Sequence, residues 1–325
     1  MATEILDPID HLLVINRARV AALLPGYQDQ MDTVVSVYRG IAEGRVEMPP
    51  KIGIHSRPDA FCHAMPAYLR DRDVVALKWV SGYPGNARKG LPYIQGVIVV
   101  NDADTGTPLA ILDAAEITAA RTAAASAACV ARFATPGWSR VALLGCGEQG
   151  RYHARVFGYL NPGMEVRAYD PHPDRAAAVW PGAIVCPDPH TAVRDADVVV
   201  TAGPIRTSGH PVLRPEWLGE HALILPLDFD LYVGPDVVSG SVRYAVDDVD
   251  QFRYYRDQGY LEGWPDPSVN TGQLMELGEA GTGRTTILNI GLGALDAAFA
   301  ADVLRAHSRS DPGSDPAAHP GGIRG

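Results

Sequence analysis

Hydrophobic and polar positions follow two different patterns along the chain, and the pattern changes near residue 125. From Arg140 onward, short apolar runs recur at intervals that leave room for a helix between them. Strands that alternate with helices are typical of a parallel, doubly wound sheet. We therefore predict an α/β domain over residues 126–292, with strands at Arg140–Leu144, Glu165–Tyr169, Ala183–Cys186, Asp197–Val200 and Ala222–Leu225.

Residues 1–125 follow a less regular pattern. An amphipathic stretch near Gln28–Glu43 predicts a helix, and the strand-like runs after it are interrupted by Pro and Gly, as at Met48–Pro50 and Gly82–Gly85. This mixture is typical of a separate α+β domain. The Ala-rich segment Arg121–Phe133 contains neither Gly nor Pro, so it predicts the helix that leads into the second domain.

The end of the chain has two parts of different composition. Residues 293–307 are rich in Ala with regularly spaced apolar positions, which predicts a C-terminal helix that completes the first domain. Residues 308–325 are rich in Pro, Gly and Asp and offer little apolar surface to bury. We expect this tail to be disordered.

Composition narrows the class of protein. The chain has 325 residues and a net charge of −10, from 28 Lys and Arg against 38 Asp and Glu. This charge disfavours nucleic acid as a partner. The apolar runs are far shorter than the ~20 residues of a membrane-spanning helix, and the acidic start Met1–Glu4 shows no secretory signal. We expect a protein that binds neither nucleic acid nor membrane.

The cysteines are dispersed and show no C-x-x-C spacing and no His at ligand spacing. This pattern is typical of buried, reduced thiols, and it predicts a cytoplasmic protein without a metal site. The four cysteines are Cys62, Cys129, Cys146 and Cys186.

A glycine-rich turn directly follows the first predicted strand of the second domain. Its sequence, Gly145-Cys-Gly-Glu-Gln-Gly150, is a G-x-G-x-x-G motif that opens a helical segment. In this context the motif predicts dinucleotide binding. Gly145 permits the tight turn, Gly147 lets a pyrophosphate approach and Gly150 lets the helix pack closely, while the helix start at Glu148 and Gln149 supplies amide donors.

Asp170 ends the next predicted strand, twenty-five residues beyond Gly145. Dinucleotide-binding (Rossmann) folds place at this point the acid that binds a ribose 2′-hydroxyl, and a carboxylate there repels a 2′-phosphate. We therefore predict NAD as the cofactor in preference to NADP. His172 and Arg175 follow closely, however, and either could swing in to accept a phosphate.

Lys78 is an isolated cation in an otherwise apolar predicted strand, and burying it requires a counter-charge. A substrate carboxylate is one candidate. The segments that surround this position are distinctive in combination: Met48–Lys51, Met65–Leu69, Ala76–Asn86 and Thr118–Ser126. Together with the glycine turn they resemble the ornithine cyclodeaminase/μ-crystallin family, and the resemblance extends from about Gly44 to Leu304.

The resemblance implies a set of substrate ligands in the first domain. At the matching positions, Lys51, Lys78 and Arg121 would hold the α-carboxylate of an amino acid, and Met65 would lie in the same site. These residue types suit the task, because a planar carboxylate is well bound by fixed cationic donors. Lys51 also fits a solvated loop charge, and Arg121 fits an interdomain salt bridge.

The resemblance also implies an acid–base residue after the fifth strand of the nucleotide domain. Asp228 aligns with the family's catalytic Asp, but Phe-Asp-Leu-Tyr-Val replaces the Pro-Gly-Lys-x-Glu that usually follows it. Asp230, within that altered segment, would fix the loop or meet a distal amine of the substrate. Thr201 and Gly203 would lie over the cofactor, and Gly291 would lie near the nicotinamide.

The family resemblance implies a cyclodeaminase. NAD would take a hydride from the α-carbon of a basic amino acid such as ornithine, a side-chain amine would displace ammonia, and the hydride would return to the cyclic imine. The alternatives are an imine or ketimine reductase or an amino-acid dehydrogenase and, in a different class, a non-enzymatic μ-crystallin-like binding protein. By resemblance we expect a homodimer joined through the substrate domains, with the active site between the two domains of each chain.

Overall fold

The computed structural model describes residues 12–205, 211–278 and 282–310. These residues divide into two compact units. The first contains the described residues of Met1–Thr33, Glu43–Arg121 and Leu292–Gly325, and the second those of Val34–Ala42 and Thr122–Gly291. The main difference from the predicted domains is the segment Val34–Ala42, which groups with the second unit although it lies early in the chain.

Helices occur in both units, and none within the described ranges is long and apolar enough to span a membrane. Short 3-10 turns lie at Arg70–Arg72, Pro84–Lys89 and Pro215–Trp217. The α-helices are α1 (Arg17–Leu23), α2 (Tyr27–Ala42), α3 (Ala114–Phe133), α4 (Glu148–Leu160), α5 (Pro173–Ala178), α6 (Pro189–Val193), α7 (Pro235–Ser239), α8 (Val249–Asp257), α9 (Thr271–Glu276) and α10 (Gly293–Ser310).

The first unit is built on a seven-stranded, mostly antiparallel sheet. Its order is β1-β7-β6-β5-β4-β2, with β3 also paired to β4 and with β1 parallel to β7. Helix α10 packs on β4, β5 and β6 and covers the face to which their buried side chains point. The strands are β1 (Leu13–Ile15), β2 (Val46–Glu47), β3 (Ile52–Ile54), β4 (Phe61–Leu69), β5 (Val74–Gly82), β6 (Ile94–Asp102) and β7 (Pro108–Asp113).

The second unit is built on a seven-stranded sheet in which every pair is parallel. Its order is β10-β9-β8-β11-β12-β14-β13. Strands β8 to β10 extend toward one edge of the sheet and the later strands toward the other, so the strand order reverses between β8 and β11. The predicted α/β class with a Rossmann-type sheet is therefore confirmed. The strands are β8 (Arg140–Leu144), β9 (Glu165–Tyr169), β10 (Ile184–Val185), β11 (Val198–Thr201), β12 (Leu223–Pro226), β13 (Arg243–Val246) and β14 (Thr285–Leu288).

Two helix boundaries and two strands show the main differences from the sequence predictions. Helix α3 begins at Ala114, seven residues before Arg121, because Asp113 Oδ1 accepts the amide hydrogens of Ala115 and Glu116 and so caps the helix. Helix α10 continues to Ser310, so the tail predicted over 308–325 begins at least three residues too early. Residues 311–325 lie outside the described residues. Strands β13 and β14 were not predicted, since each is four residues long and carries polar residues.

Candidate functional site

The glycine turn joins β8 to α4 at the point where the chain order reverses in the second sheet. Gly145 has φ +97°, and a Cβ there would clash with the carbonyl oxygen of Ala202, so the turn requires glycine. A Cβ on Gly150 would press on the carbonyl of Gly145. In contrast, a Cβ on Gly147 would meet no atom within 4 Å. The space in front of Gly147 is therefore open to a ligand.

The first turn of helix α4 directly follows the glycine turn and supplies backbone N–H donors. Gly147 is the N-cap of this helix, and Glu148 and Gln149 are its first two residues. The amides of a helix start and the positive end of its dipole favour an anion such as pyrophosphate. Gln149 Oε1 is buried and has no hydrogen-bond partner among the described residues. A buried polar atom without a partner at this helix start fits a cradle for a polar cofactor.

Asp170 directly follows β9 and is buried beside the glycine turn. Its Oδ2 accepts the amide hydrogen of Cys146 at 2.9 Å, and its Oδ1 accepts that of His172 at 2.9 Å. Two backbone bonds therefore fix the orientation of the carboxylate. The role of Asp170 toward a ribose stays a prediction, and the structure gives it a rigid, negatively charged position next to the turn.

Asp228 follows β12, at the carboxyl end of the parallel sheet, and its side chain is 1% exposed. Its Oδ1 accepts a hydrogen bond from the Thr201 hydroxyl at 2.6 Å, and its Oδ2 accepts one from the Gly203 amide at 2.7 Å. Thr201 ends β11, so two neighbouring strands bring these groups together. The structure thus places Thr201, Gly203 and Asp228, which were named separately from the sequence, in one cluster.

Burial raises the pKa of Asp228 to about 7, against the hydrogen bonds from Thr201 and Gly203, which favour the ionised form, and with a small further rise from Asp230. A carboxyl group that titrates near neutral pH can both take and give a proton under ordinary conditions. Desolvation is the dominant cause, since all the direct partners are neutral donors.

The segment after Asp228 is not extended. Phe229 has φ +60°, a left-handed conformation that is strained for a bulky residue, and its ring packs edge-on against Tyr255 and Tyr260 at 4.9 and 5.4 Å between centroids. Asp230 therefore leaves the direction of Asp228, and its Oδ2 accepts the amide hydrogen of Leu261 at 3.1 Å. Of the two roles open to Asp230 in the sequence, the described contacts include the one that fixes the loop.

The first unit gathers a second group of predicted residues. Lys78 on β5 lies directly across from Met65 on β4, and both side chains are buried under α10. Lys51, just before β3, is also buried and not a solvated loop charge. His63 shares the strand face of Met65, and burial together with the positive charges of Lys51, His55 and Lys78 lowers its pKa to about 3. The sequence did not single out His63 as a member of this group.

Asp296, in the first turn of α10, supplies the counter-charge for which the sequence offered a substrate carboxylate. Its Oδ2 lies 2.6 Å from Lys78 Nζ, and its Oδ1 accepts a hydrogen bond from Arg121 Nε at 3.1 Å. The ion pair of Arg121 thus lies within the first unit. The sequence signal that would have found Asp296 is the one that found Lys78, an isolated charge in an apolar segment.

Gly291 lies after β14 with φ +97°, and its amide donates to Asp247 Oδ2 at 2.7 Å. Asp247, which directly precedes Asp248, the N-cap of α8, is buried. The carboxylate of Asp247 therefore fixes the glycine segment that the family resemblance predicts to lie near the nicotinamide.

His153 on α4 is fully buried. Its Nδ1 donates to the carbonyl of Gln149 at 2.8 Å, and its Nε2 then accepts from the Ser126 hydroxyl at 2.9 Å. Burial lowers the pKa of His153 to about 4, and the ring is neutral at physiological pH. This pair of bonds ties the first turn of α4 to helix α3.

Within the described ranges, no three His, Cys, Asp or Glu side chains are grouped so that they could hold a metal ion. The four cysteines are free thiols, and three of them are buried.

Comparisons with known proteins give a consistent result. The model of the ornithine cyclodeaminase/mu-crystallin family matches residues 13–275. The nodulation efficiency protein NfeD of Rhizobium meliloti is 34% identical over 306 residues, covering 89% of this chain and 93% of that protein. The alanine dehydrogenase of Archaeoglobus fulgidus is 30% identical over 254 residues, covering 74% of this chain and 76% of that protein.

A solved structure, an archaeal alanine dehydrogenase dimer with bound NAD, superposes with a TM-score of 0.78 at 27% identity. The superposition covers 93% of this chain and 97% of that chain. The NAD bound in that protein agrees with the cofactor predicted from the glycine turn and Asp170.

Proposed function

Because the chain belongs to the ornithine cyclodeaminase/mu-crystallin family, we propose that it transfers a hydride between NAD and the α-carbon of a small α-amino acid or the corresponding imine. The observation that carries this proposal is Asp228, a buried carboxyl group held by Thr201 and Gly203 at the carboxyl end of the parallel sheet, with a pKa of about 7. Ligands of open α/β sheets bind at this end.

The residues around the glycine turn fit NAD. The open space at Gly147 and the amides at the start of α4 suit the pyrophosphate, and the fixed carboxylate of Asp170 suits an unphosphorylated ribose. When bound, NAD accepts a hydride from the α-carbon of an amino acid, or in its reduced form returns one to an imine carbon. The protein's own groups bind and orient the substrate and handle its proton.

In the proposal, the cations Lys51, Lys78 and Arg121 of the first unit bind the substrate carboxylate. Asp228 of the second unit takes the proton that the substrate amine loses on oxidation, or gives it back on reduction. Both bonds to Asp228 come from groups fixed at strand ends, so its oxygen atoms have defined positions before substrate binds. Such preorganisation is what an acid–base residue requires.

Cyclodeamination is the second candidate function. The presence of a second carboxyl group, that of Asp230, close to Asp228 favours it. This second carboxyl group lies two residues from Asp228 and is half-buried, and burial raises its pKa. A distal ammonium of a basic substrate would be attracted to it. Because Oδ2 of Asp230 already accepts the amide hydrogen of Leu261, this oxygen is engaged in the loop. We therefore prefer a single hydride transfer to cyclodeamination.

A cofactor balance separates the two candidates. L-Alanine, L-ornithine, L-lysine and L-2,4-diaminobutyrate are each incubated with NAD, and both ammonia and NADH absorbance are measured. Oxidation yields one NADH for each ammonia released, whereas cyclodeamination releases ammonia with catalytic NAD and no net NADH. If no amino acid of the panel gives either signal, and the matching imines do not oxidise NADH, the proposal is contradicted.

We also propose that the protein is a homodimer joined through the first unit. The face of its sheet opposite α10 exposes large apolar side chains, namely Ile52, Ile54, Leu77, Trp79 and Val97. A contiguous apolar surface of this kind is typical of an interface. Light scattering after size exclusion should give twice the 34.7 kDa of one chain. Trp79→Glu should yield monomer, and Val14→Glu on the edge strand β1 should not.

A further inference from the structure

The buried trio of Lys78, Asp296 and Arg121 in the first unit consists of two ion pairs that share one carboxylate. We infer that Asp296 is a positioning residue, which divides its two carboxylate oxygens between Lys78 and Arg121 and so holds both cations ready for the carboxylate of a substrate. This inference rests on the proposed function for the identity of the ligand. The relation between Asp296 and the two cations stands on the geometry alone.

The depth of burial makes a compensating charge necessary. Lys78 and Asp296 are each 1% exposed, and Arg121 is buried beside them. An ammonium taken out of water without a partner is strongly disfavoured, and two adjacent cations also repel each other. With Asp296 the trio carries a net charge of +1, which suits one added carboxylate. Without Asp296 the net charge would be +2 in the same buried space.

The fold delivers Asp296 to this point through the start of α10. A Cβ on Gly293 would lie 2.9 Å from the carbonyl oxygen of Met65, so only glycine lets the helix begin this close to β4. Met65 is the cross-strand partner of Lys78. Asp296 lies in the first turn of the helix, where the dipole stabilises a carboxylate. The charge of Asp296 is thus maintained by its helix as well as by its partners.

Asp296 leaves hydrogen-bonding capacity on both cations. Arg121 contacts it through Nε, one of the five N–H groups of a guanidinium. Lys78 Nζ has three hydrogens, and among the described residues it also donates to the Thr118 hydroxyl at 3.4 Å. A carboxylate that paired fully with Arg121 would place both of its oxygens against the guanidinium fork. Asp296 instead directs one oxygen to Arg121 and the other to Lys78. The observed contact orients the cations without using up their donors.

Electrostatics agree with this geometry. Burial lowers the pKa of Lys78 to about 8, Asp296 opposes that decrease, and Arg121 adds to it. The charged or titratable groups that act on Lys78 come from three elements: Asp296 on α10, Arg121 on α3 and His63 on β4, whose ring is neutral. Loss of the Asp296 charge should therefore lower the pKa of Lys78 further and leave a large fraction of its amine uncharged at pH 7.

The chain allows a direct measurement, because it contains only three lysines, Lys51, Lys78 and Lys89. Protein grown with lysine labelled with ¹³C at the ε-carbon should give three NMR signals, which Lys89→Arg and Lys51→Arg assign. We expect the Lys78 signal to titrate near pH 8 in the wild type, and about one pH unit lower, or more, in Asp296→Asn. Asp296→Glu, which keeps the charge, should restore part of the difference.

Asp302→Asn is the matched control. Asp302 lies on the same helix and forms ion pairs with Arg72 at 2.7 Å and Arg305 at 2.9 Å. Its loss should leave the Lys78 titration unchanged. If Asp296→Asn does not fold, Arg121→Met provides an independent test, since removal of that cation should raise the pKa of Lys78. An unchanged Lys78 titration in Asp296→Asn, or in Arg121→Met where that variant must serve, overturns the inference.

Kinetics with L-alanine and L-ornithine test the connection to substrate. Asp296→Asn should raise KM about tenfold, change kcat less and leave NAD binding unaltered, because a binding cation is lost and not the chemical group. A shifted Lys78 titration with an unchanged KM would contradict the assignment of these cations to the substrate. If neither amino acid nor any imine reacts, the proposed function fails, and the titration still decides the role of Asp296.

Discussion

Two carboxylates, one in each unit, are equally buried and have opposite surroundings. Asp228 in the second unit is held by a hydroxyl and a backbone amide, both neutral, and its pKa rises to about 7. Asp296 in the first unit is held between an ammonium and a guanidinium. The neutral donors around Asp228 allow its carboxyl group to take up and release a proton, whereas the two cations beside Asp296 favour a carboxylate that stays charged. In our proposals, equal burial thus accompanies proton transfer at Asp228 and positioning of two cations at Asp296.

The largest expected effect comes from removal of the exchangeable proton. Asp228→Asn keeps the shape of the side chain and should lower kcat by about 10²-fold or more, as is typical of a lost acid–base group. NAD binding, followed by fluorescence titration, should change little. Asp230→Asn is the neighbouring control and should mainly alter KM or substrate choice. If Asp230→Asn abolishes turnover and Asp228→Asn is mild, the acid–base role belongs to Asp230.

A second change breaks the cation cluster of the first unit. Lys78→Met leaves the Asp296 charge with one partner in place of two, so we expect unfolding to become easier by about 3 kcal/mol and turnover to be severely reduced. Adding Asp296→Asn to Lys78→Met should recover part of the stability but none of the activity. Denaturant unfolding and steady-state assays check both parts. Arg121→Ala should likewise cripple catalysis with NAD binding near wild type.

These expectations show which features were visible in the sequence. The glycine turn, Asp170 and Asp228 could be predicted because each follows a predicted strand closely, so local pattern and family resemblance both locate it. The pairing of Asp296 with its two cations could not, since Asp296 lies 175 residues from Arg121 and still further from Lys78, and only the packing of α10 on the sheet brings them together. Long-range partners of this kind leave no local pattern.

The loop after Asp228 shows a different limit. Alternation along an extended chain would point Asp228 and Asp230 to the same side. The left-handed conformation of Phe229, stabilised by packing against Tyr255 and Tyr260, directs them to different partners. The strands β13 and β14 were missed for a related reason. They are short, and contact with neighbouring strands determines their conformation more than their own sequence does.

The pH dependence of turnover should report the pKa of Asp228. Amino-acid oxidation needs the ionised carboxylate as base, so kcat/KM should fall as pH drops below about 7. Imine reduction needs the protonated acid, so the same group should make kcat/KM fall as pH rises above about 7. Profiles in both directions test this sign reversal. An inflection that survives in Asp228→Asn belongs to another group.

Cofactor choice should change by a smaller amount. The wild type should prefer NAD to NADP, because the carboxylate of Asp170 repels a 2′-phosphate. Asp170→Ser removes this repulsion, along with the two backbone bonds that the carboxylate accepts. The ratio of kcat/KM for the two cofactors should therefore move toward NADP. Equal or better use of NADP by the wild type would contradict the assignment of Asp170.

The last expected effect is on the pH dependence of stability. The folded-state pKa of Asp228, about 7, lies above its ordinary value of 3.8, so the folded protein holds a proton that the unfolded chain loses over this range. Asp228 therefore makes folding less favourable as pH rises from 3.8 to about 7. Asp228→Asn should match the wild type in Tm near pH 4 and exceed it above pH 7, and the difference should grow steadily between these two pH values.

The central claim is a direct hydride transfer at the α-carbon, and isotope tracing tests it most directly. L-Alanine and L-ornithine carrying deuterium at the α-carbon are incubated with NAD, and the products are analysed by mass spectrometry. Oxidation should place the deuterium on the reduced nicotinamide, and cyclodeamination should return it to the cyclic product. Conversion of either substrate with loss of the deuterium to water would contradict the account.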